Sequence, residues 1–394
     1  MTIKIVIMIN IQIDVDIYIG LNGGIILPKF YNHINLLIMP TDACNMNCVY
    51  CFHKPYSTNF DRMSVDTIKR IFDITAPYYE TINVIWHGGE PLLMGLEFYK
   101  NILALQKKYN CKFINSIQSN LTLLTSEIAD FLAENNIDIS GSFDGVCNEE
   151  LRGNSEKILS CRQLMIDRGK RCGFIMVVSG YNIDRLIESY NFFKSINVNF
   201  SLNLYVDQKG NPQEKMQLQE EHTIQRLTEL FDYWAKDVNG NIFISYFQNI
   251  LEFILEGKKS LCSYTSCLGR WLGIHYDGTL GPCNRYFPKE YMFGNVYDYM
   301  NIGDAFNSDG FKKLLQEAIE RRNKCKKCEI NNFCNGGCNN VSLNENGISN
   351  NNGLTCKILR GVYNYINDYI CNAITACDYT ELNTQFVKLL QKYN

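Results

Sequence analysis

The stretch INLLIMPTDACNMNCVYC, residues 34–51, decides the fold. Its first part, INLLIMP (34–40), is an apolar run of strand length. The loop that follows places Cys44, Cys48 and Cys51 in a C-x3-C-x2-C triplet. Thiolates this close can converge on one iron–sulfur cluster, but a four-iron cluster takes four ligands. One iron is left uncapped, and an open coordination position is where a metal centre does chemistry rather than scaffolding.

Outward from that loop the pattern repeats. Apolar runs fall at 34–40, 82–88 (INVIWHG), 112–120 (KFINSIQSN), 137–145 (IDISGSFDG), 173–180 (GFIMVVSG) and 198–207 (VNFSLNLYVD). Helical patterns fill the gaps at Ser64–Ala76, Gly95–Tyr109, Ser126–Asn135, Asn154–Asp167 and Ile183–Ile196. This alternation predicts βαβ units and a parallel sheet. Six such units predict an α/β fold of TIM-like type, a partial (β/α)6 barrel with its chemistry on loops after the strand ends.

Composition narrows the classes. The 394 residues carry a net charge of −3, so no global basic field recruits nucleic acid or anionic lipid. No run is long and apolar enough to span a bilayer. The N-terminus, MTIKIVIMINIQIDVDIYIG, has Lys4, Asn10, Asp14 and Asp16 where a signal peptide needs an unbroken apolar core. Seventeen cysteines then point to metal in a reducing, cytoplasmic compartment rather than to disulfides. The same N-terminus alternates from Ile3 to Ile19, which predicts one or two half-buried strands closing a sheet edge. A sharper reading is an edge that captures an extended peptide by strand addition.

The triplet resembles the signature of the radical S-adenosylmethionine superfamily, and other strand ends match that pattern. The resemblance implies an open iron that chelates S-adenosylmethionine, whose reductive cleavage yields a 5′-deoxyadenosyl radical. Gly88, Gly89, Glu90 and Pro91 resemble the GGEP turn that meets the methionine end of this cofactor. Glycine suits close approach of the main chain to a ligand. Tyr50 matches the aromatic expected near adenine, while Ser142 (in SFDG) and Arg152 (in LRGN) match residues at the cofactor's polar end. Val206 would touch the adenosyl group. QSNLT (118–122) resembles a QTNGT pattern with Leu121 in place of glycine, a change expected to narrow the space above the sheet.

A second cysteine block follows. Cys267 and Cys283 bracket Gly278, Cys325, Cys328, Cys334 and Cys338 are spaced C-x2-C-x5-C-x3-C, and Cys356 closes the series. Paired CxxC spacing also builds zinc sites. The order resembles the SPASM extension of radical enzymes, with Cys262 as an additional ligand. By that resemblance Cys262, Cys267, Cys283 and Cys338 hold one four-iron cluster, and Cys325, Cys328, Cys334 and Cys356 another. With the triplet this makes three 4Fe–4S clusters. The resulting division is an N-terminal strand segment (1–33), the barrel (34–240), a linker helix (241–261), the SPASM domain (262–360) and C-terminal helices (361–394). Of the remaining six cysteines, Cys111, Cys147, Cys161, Cys172, Cys371 and Cys377, most read as small buried hydrophobes. Cys147 follows a strand end and is a candidate substrate contact.

Among SPASM proteins the chain resembles the anaerobic sulfatase-maturating enzymes, through WHGGEPLLMGLEFYKNI, FDYWAKDVNGN, LEGKKSLC and CNGGC. Those enzymes make formylglycine from a peptidyl cysteine or serine and carry an aspartate base after the cysteine that matches Cys283. Here that position is Asn284, and an amide cannot hold the proton. His87 stands where those enzymes tend to have glutamine. It is either a substituted base or a strand-end histidine bonded to nearby backbone. The expectation is a peptide maturase forming thioether or carbon–carbon cross-links on a ribosomally made, cysteine-containing precursor, with a flavodoxin- or ferredoxin-type reductant as partner. Formylglycine formation with another base is the alternative within the family. A non-catalytic iron–sulfur redox sensor is the alternative outside it.

Overall fold

The computed structural model describes residues 18–19, 25–26, 32–53, 61–208 and 213–376. Six parallel strands form its centre: β3 (His33–Ile38), β4 (Thr81–Trp86), β5 (Lys112–Ser119), β6 (Asp138–Ser142), β7 (Phe174–Val178) and β8 (Phe200–Leu204). They follow one another in sheet order, as consecutive βαβ units require. Helices α1 (Val65–Thr75), α2 (Leu96–Gln106), α3 (Ser126–Glu134), α4 (Ser155–Ile166) and α5 (Leu186–Ser195) supply the crossovers. Each of these six strands and five helices lies within a few residues of its sequence-derived limits.

The local causes are visible. Ser64 caps α1, its hydroxyl accepting from the Thr67 N–H, and Thr125 caps α3 through the Ile128 N–H. β3 is buried along five of its six residues, since its neighbours cover both edges and a helical layer covers one face. Ile34, Leu36 and Ile38 join Ile68, Ile71 and Phe72 of α1 in one continuous core.

The second half of the chain extends the same sheet. β9 (Trp271–Ile274) pairs parallel with β3, and β10 (Thr279–Gly281) and β11 (Gly294–Asn295) continue antiparallel beyond it. The sheet therefore does not close: β8 ends one side and β11 the other. This lays the segment around Cys283 beside the cysteine loop that follows β3. Helices α6 (Glu220–Ala235) and α7 (Ser245–Glu256) lead into this half, and α8 (Asp309–Cys325) and α9 (Leu354–Ala376) frame it.

The expected N-terminal edge strand is not what the described residues show. Tyr18–Ile19 (β1) and Ile25–Ile26 (β2) pair with each other as a separate antiparallel pair, outside the nine-stranded sheet. The rest of the alternating run lies outside the described residues, as does Cys377. Among the described residues no helix is long and apolar enough to cross a membrane.

Candidate active site

At the C-terminal ends of the parallel strands a cavity of about 230 Å³ opens onto Cys44, Cys48 and Cys51. Its wall includes Tyr50, Gly88, Gly89, Ser142, Arg152 and Val206, together with His87 and Asn284. Residues separated by more than two hundred positions thus meet where the barrel rule puts chemistry.

The GGEP turn serves the cysteine loop more than the open space. Gly89 N–H donates to Thr41 O at 3.0 Å and Glu90 N–H to Ala43 O at 2.8 Å. A side chain on Gly89 would collide with the Ala43 carbonyl, and one on Gly88, which has φ +105°, would stand 2.7 Å from Thr41 O. The glycines let two backbones pack directly. Glu90 does not line the cavity. Its buried carboxylate accepts from Leu92 N–H (2.9 Å), Ser119 hydroxyl (2.8 Å) and Asn120 N–H (2.7 Å), tying the β4 turn to the end of β5. Burial pushes this carboxyl up to about 7, against the pull of those three donors.

Arg152 belongs to a buried unit rather than a solvated loop. Its Nε lies 2.8 Å from Asp144 Oδ2, and its guanidinium sits 5.2 Å from the centroid of the Tyr50 ring. The Tyr50 hydroxyl donates to the same Asp144 oxygen, while Asp144 Oδ1 accepts from Val177 N–H at 2.9 Å. Arg152 Nη1 is 4.0 Å from Cys48 Sγ. Burial lifts the Tyr50 phenol well above its ordinary range, with the Asp144 charge adding to it. Ser142 accepts from Gln118 Nε2 at 2.9 Å, and Asn120 Nδ2 points at Cys44 Sγ from 3.8 Å. Asp144 and Asn120 had received no role from sequence. Their positions just past strand ends were the available signal.

Leu121 corrects one expectation. It has φ +65°, a left-handed backbone that glycine adopts freely and leucine only at a cost of about 1 kcal/mol. Its side chain is fully buried, against Gly141, and does not line the cavity. The substitution strains the turn and fills the core; it does not narrow the site. Cys147 does not line the cavity: it is buried with Leu151 and Met216, behind the cavity-lining Tyr50 and Tyr205.

His87 lies at the end of β4, and its Nδ1 accepts from the Gly88 N–H at 2.8 Å. With that lone pair engaged, the neutral ring carries its hydrogen on Nε2 and presents a donor. Burial holds its pKa down to about 4, so the ring is neutral near pH 7. The backbone-bonded reading of His87 fits this geometry, and the substituted-base reading does not. Among the described residues lining the cavity none is a carboxylate.

A second cavity, of about 430 Å³, adjoins the first and shares Phe52, His53, Asn284 and Arg285 with it. The carboxylates of Asp42 and Asp277 line it, with His275, Tyr276, Tyr286 and Lys289.

The other eight thiols gather in two groups. Cys267 is raised by burial and then by Cys262, Cys338 and Cys283. Cys334 is pushed up to about 12 by burial and then by Cys356, Cys325 and Cys328. Cys262 and Cys283 are likewise raised by Cys338, and Cys356 by Cys325, each after burial. Cys44 in the triplet is pushed to about 11, again by burial first and with Cys48 and Cys51 contributing. Neighbouring thiols that resist ionisation beside one another suit a cationic cluster, which takes up the thiolates and releases their protons. N–H groups already face the sulfurs: Met46 N to Cys44 Sγ and Arg285 N to Cys283 Sγ, each 3.4 Å, and Asn339 Nδ2 to Cys267 Sγ, 3.7 Å. Such donors tune cluster potentials. Among the described residues no three His, Cys, Asp or Glu side chains converge closely enough for a single metal ion.

Between the two thiol groups lies Arg321, a buried cation that sequence reading passed over. It donates to the carbonyls of Gly336 (2.8 Å), Gly337 (3.4 Å) and Ile348 and to Asn339 Oδ1 (2.5 Å). It thereby holds the CNGGC turn, whose Gly336 and Gly337 both have positive φ.

An open parallel barrel with a cysteine triplet at its mouth and a second cysteine-rich half on the same sheet defines a class of iron–sulfur cofactor enzymes. Residues 38–193 match the profile of the radical SAM superfamily, and residues 262–329 that of an iron–sulfur cluster-binding domain, SPASM. A cysteine-type anaerobic sulfatase-maturating enzyme of Clostridium novyi is 30% identical over 332 residues, covering 77% of this chain and 87% of the relative. Its counterpart in Clostridium perfringens is 28% identical over 333 residues, covering 77% and 88%. A solved structure described as native anSMEcpe with bound AdoMet and Cp18Cys peptide superposes with a TM-score of 0.77 at 26% identity, covering 88% of this chain and all of that one. The chain belongs to the radical SAM superfamily and, within it, to the SPASM-bearing family of the anaerobic sulfatase-maturating enzymes. It is an enzyme, and its family implies four-iron clusters and S-adenosylmethionine as cofactors.

Proposed function

We propose that this enzyme is a peptide maturase that forms a thioether or carbon–carbon cross-link on a ribosomally made, cysteine-containing precursor. In this reading residues 34–240 generate the radical, with Cys44, Cys48 and Cys51 holding the first cluster. Residues 262–360 hold two more, on Cys262, Cys267, Cys283 and Cys338 and on Cys325, Cys328, Cys334 and Cys356. When bound, the first cluster and S-adenosylmethionine supply a 5′-deoxyadenosyl radical that takes a hydrogen atom from the substrate. Tyr50, Ser142, Arg152 and Val206 orient that cofactor, and Gly88 and Gly89 hold the loop that presents it.

The observation that carries the reading is Asn284 at the position of the family's base; the wall of the triplet cavity holds no carboxylate among the described residues, and Asp42 and Asp277 line the adjoining cavity instead. Formylglycine formation needs a proton acceptor within hydrogen-bond reach of the thiol or hydroxyl. Asn284 cannot hold a proton, and His87 presents an N–H donor. The second reading, formylglycine formation, is favoured by the likeness to sulfatase-maturating enzymes over 77% of the chain.

The test is anaerobic reconstitution, which should load about twelve irons per chain for three four-iron clusters. The reduced enzyme is then incubated with candidate peptides and S-adenosylmethionine and the products are weighed. Loss of two hydrogens with sulfur retained supports the cross-link. Replacement of cysteine sulfur by oxygen establishes the second reading. Iron-loaded protein that cleaves no S-adenosylmethionine under strong reductant would point to a redox sensor instead.

A further inference from the structure

A buried tyrosine hydroxyl ordinarily finds a hydrogen-bond partner. Comparably buried Tyr99 and Tyr190 do so, donating to Pro91 O and to Asp237 Oδ2, each at 2.8 Å. The Tyr246 hydroxyl is enclosed and has no partner among the described residues. Tyr246 stands in the first turn of α7, its ring centroid 5.8 Å from that of Phe247. It borders a cavity of about 140 Å³ that Cys325, Cys328, Cys334 and Cys356 also border, all four thiols of one auxiliary set. Of these, Cys334 is the one that acts on the phenol: burial lifts it above its ordinary range, and Cys334 adds to the rise. An unused donor therefore stands beside the thiols, in the space they share.

We propose that the Tyr246 hydroxyl donates a hydrogen bond to a sulfur of the cluster held by Cys325, Cys328, Cys334 and Cys356, and so raises that cluster's reduction potential. The proposal rests on the reading that those four thiols hold a four-iron cluster. Hydrogen bonds to the sulfurs are among the settings of such a potential. One-electron reduction adds a negative charge to the cluster, and a donor in a buried site stabilises the more negative form more. The phenol proton stays on its own oxygen throughout. Tyr246 is no ligand, so its loss should move the potential and leave the iron in place.

The experiment uses the full, reconstituted chain, titrated anaerobically with dithionite in the presence of redox mediators while electron paramagnetic resonance counts the reduced clusters. Tyr246→Phe keeps the ring and removes only the hydroxyl. One potential should fall, leaving about tenfold less of that cluster reduced relative to oxidised at the parent's midpoint, a shift of about 59 mV. The other potentials should stay where they are. Tyr365→Phe, which removes an exposed hydroxyl bonded to Asp232, should move none. In deuterated water, pulsed hyperfine spectra of the parent's shifted cluster should show an exchangeable deuteron that Tyr246→Phe lacks. Unchanged potentials in Tyr246→Phe, or a deuteron signal that the variant retains, overturns the donor; a water bonded to the hydroxyl would give that result. Where Tyr246→Phe loads less iron than the parent, the parent's deuteron signal decides, and its absence overturns the donor. Iron content is measured separately. A parent chain holding about eight irons, with none lost in Cys334→Ala, overturns the four-thiol cluster itself, before any potential is compared.

Discussion

Arg152 Nε stands 2.8 Å from Asp144 Oδ2; Arg152 lines the cavity at the cysteine triplet, and Asp144 is wholly enclosed behind it. The pair orients Arg152 beneath the Tyr50 ring and beside Cys48, so an acidic residue outside the cavity lining sets the geometry of three that line it. Asp144→Asn should leave a buried guanidinium without its counter-charge, destabilising the protein by about 3–5 kcal/mol. Urea unfolding measures this. The Asp144→Asn/Arg152→Leu double variant should be less destabilised than the two single changes added together, because they share one interaction.

Glu90 provides a pH signature. Its carboxyl is raised from 4.5 to about 7 in the folded state, burial being the main cause. A raised acid binds its proton more tightly when folded, so this contribution to stability is full below the unfolded value of about 4.5. It declines as pH rises through about 7 and is level above. Between those limits the parent protein should lose roughly 3 kcal/mol relative to Glu90→Gln, which has no such titration. A stability difference that stays constant from pH 4 to 8 would show that the three donors hold Glu90 ionised throughout.

Gly89→Ala should separate the cluster loop from the rest of the fold. The new methyl group meets the Ala43 carbonyl, one residue before Cys44. Overpacking of this kind costs about 1–3 kcal/mol and is relieved most easily by displacing the loop. The expected result is a chain with near-parental circular dichroism that retains about eight irons after reconstitution in place of about twelve. Loss of all iron would mean that the damage spreads through the sheet.

Asn284→Asp tests the departure from the family pattern. The carboxylate it installs at the junction of the two cavities should leave S-adenosylmethionine cleavage and the mass of the cross-linked product unchanged. A switch of product to formylglycine would show that this one position separates the two chemistries.

Much of the site was legible before the fold. The spacing of Cys44, Cys48 and Cys51 after an apolar run, and the GGEP run after the next, are local patterns, because a loop of seven or eight residues can present its thiols in only a few ways. Leu121, Glu90 and His87 were not legible in the same way. Whether Leu121 faces the cavity or the core depends on a left-handed turn, and whether His87 accepts or donates depends on where Gly88 N–H points. Both are settled by packing between strands.

By itself the sequence determined the six parallel strands, the five helices between them, their order and the residues that carry the cysteines, because hydrophobic period and thiol spacing are properties of neighbours along the chain. Only the tertiary structure decided that β9 pairs with β3, bringing Asn284 and Arg285 to the radical cavity, and that Asp144 pairs with Arg152. It alone placed Arg321 between the two auxiliary thiol groups. Those relationships join segments far apart in sequence. They depend on which backbones can approach closely and on which buried charges find partners, and neither leaves a periodic trace in the chain.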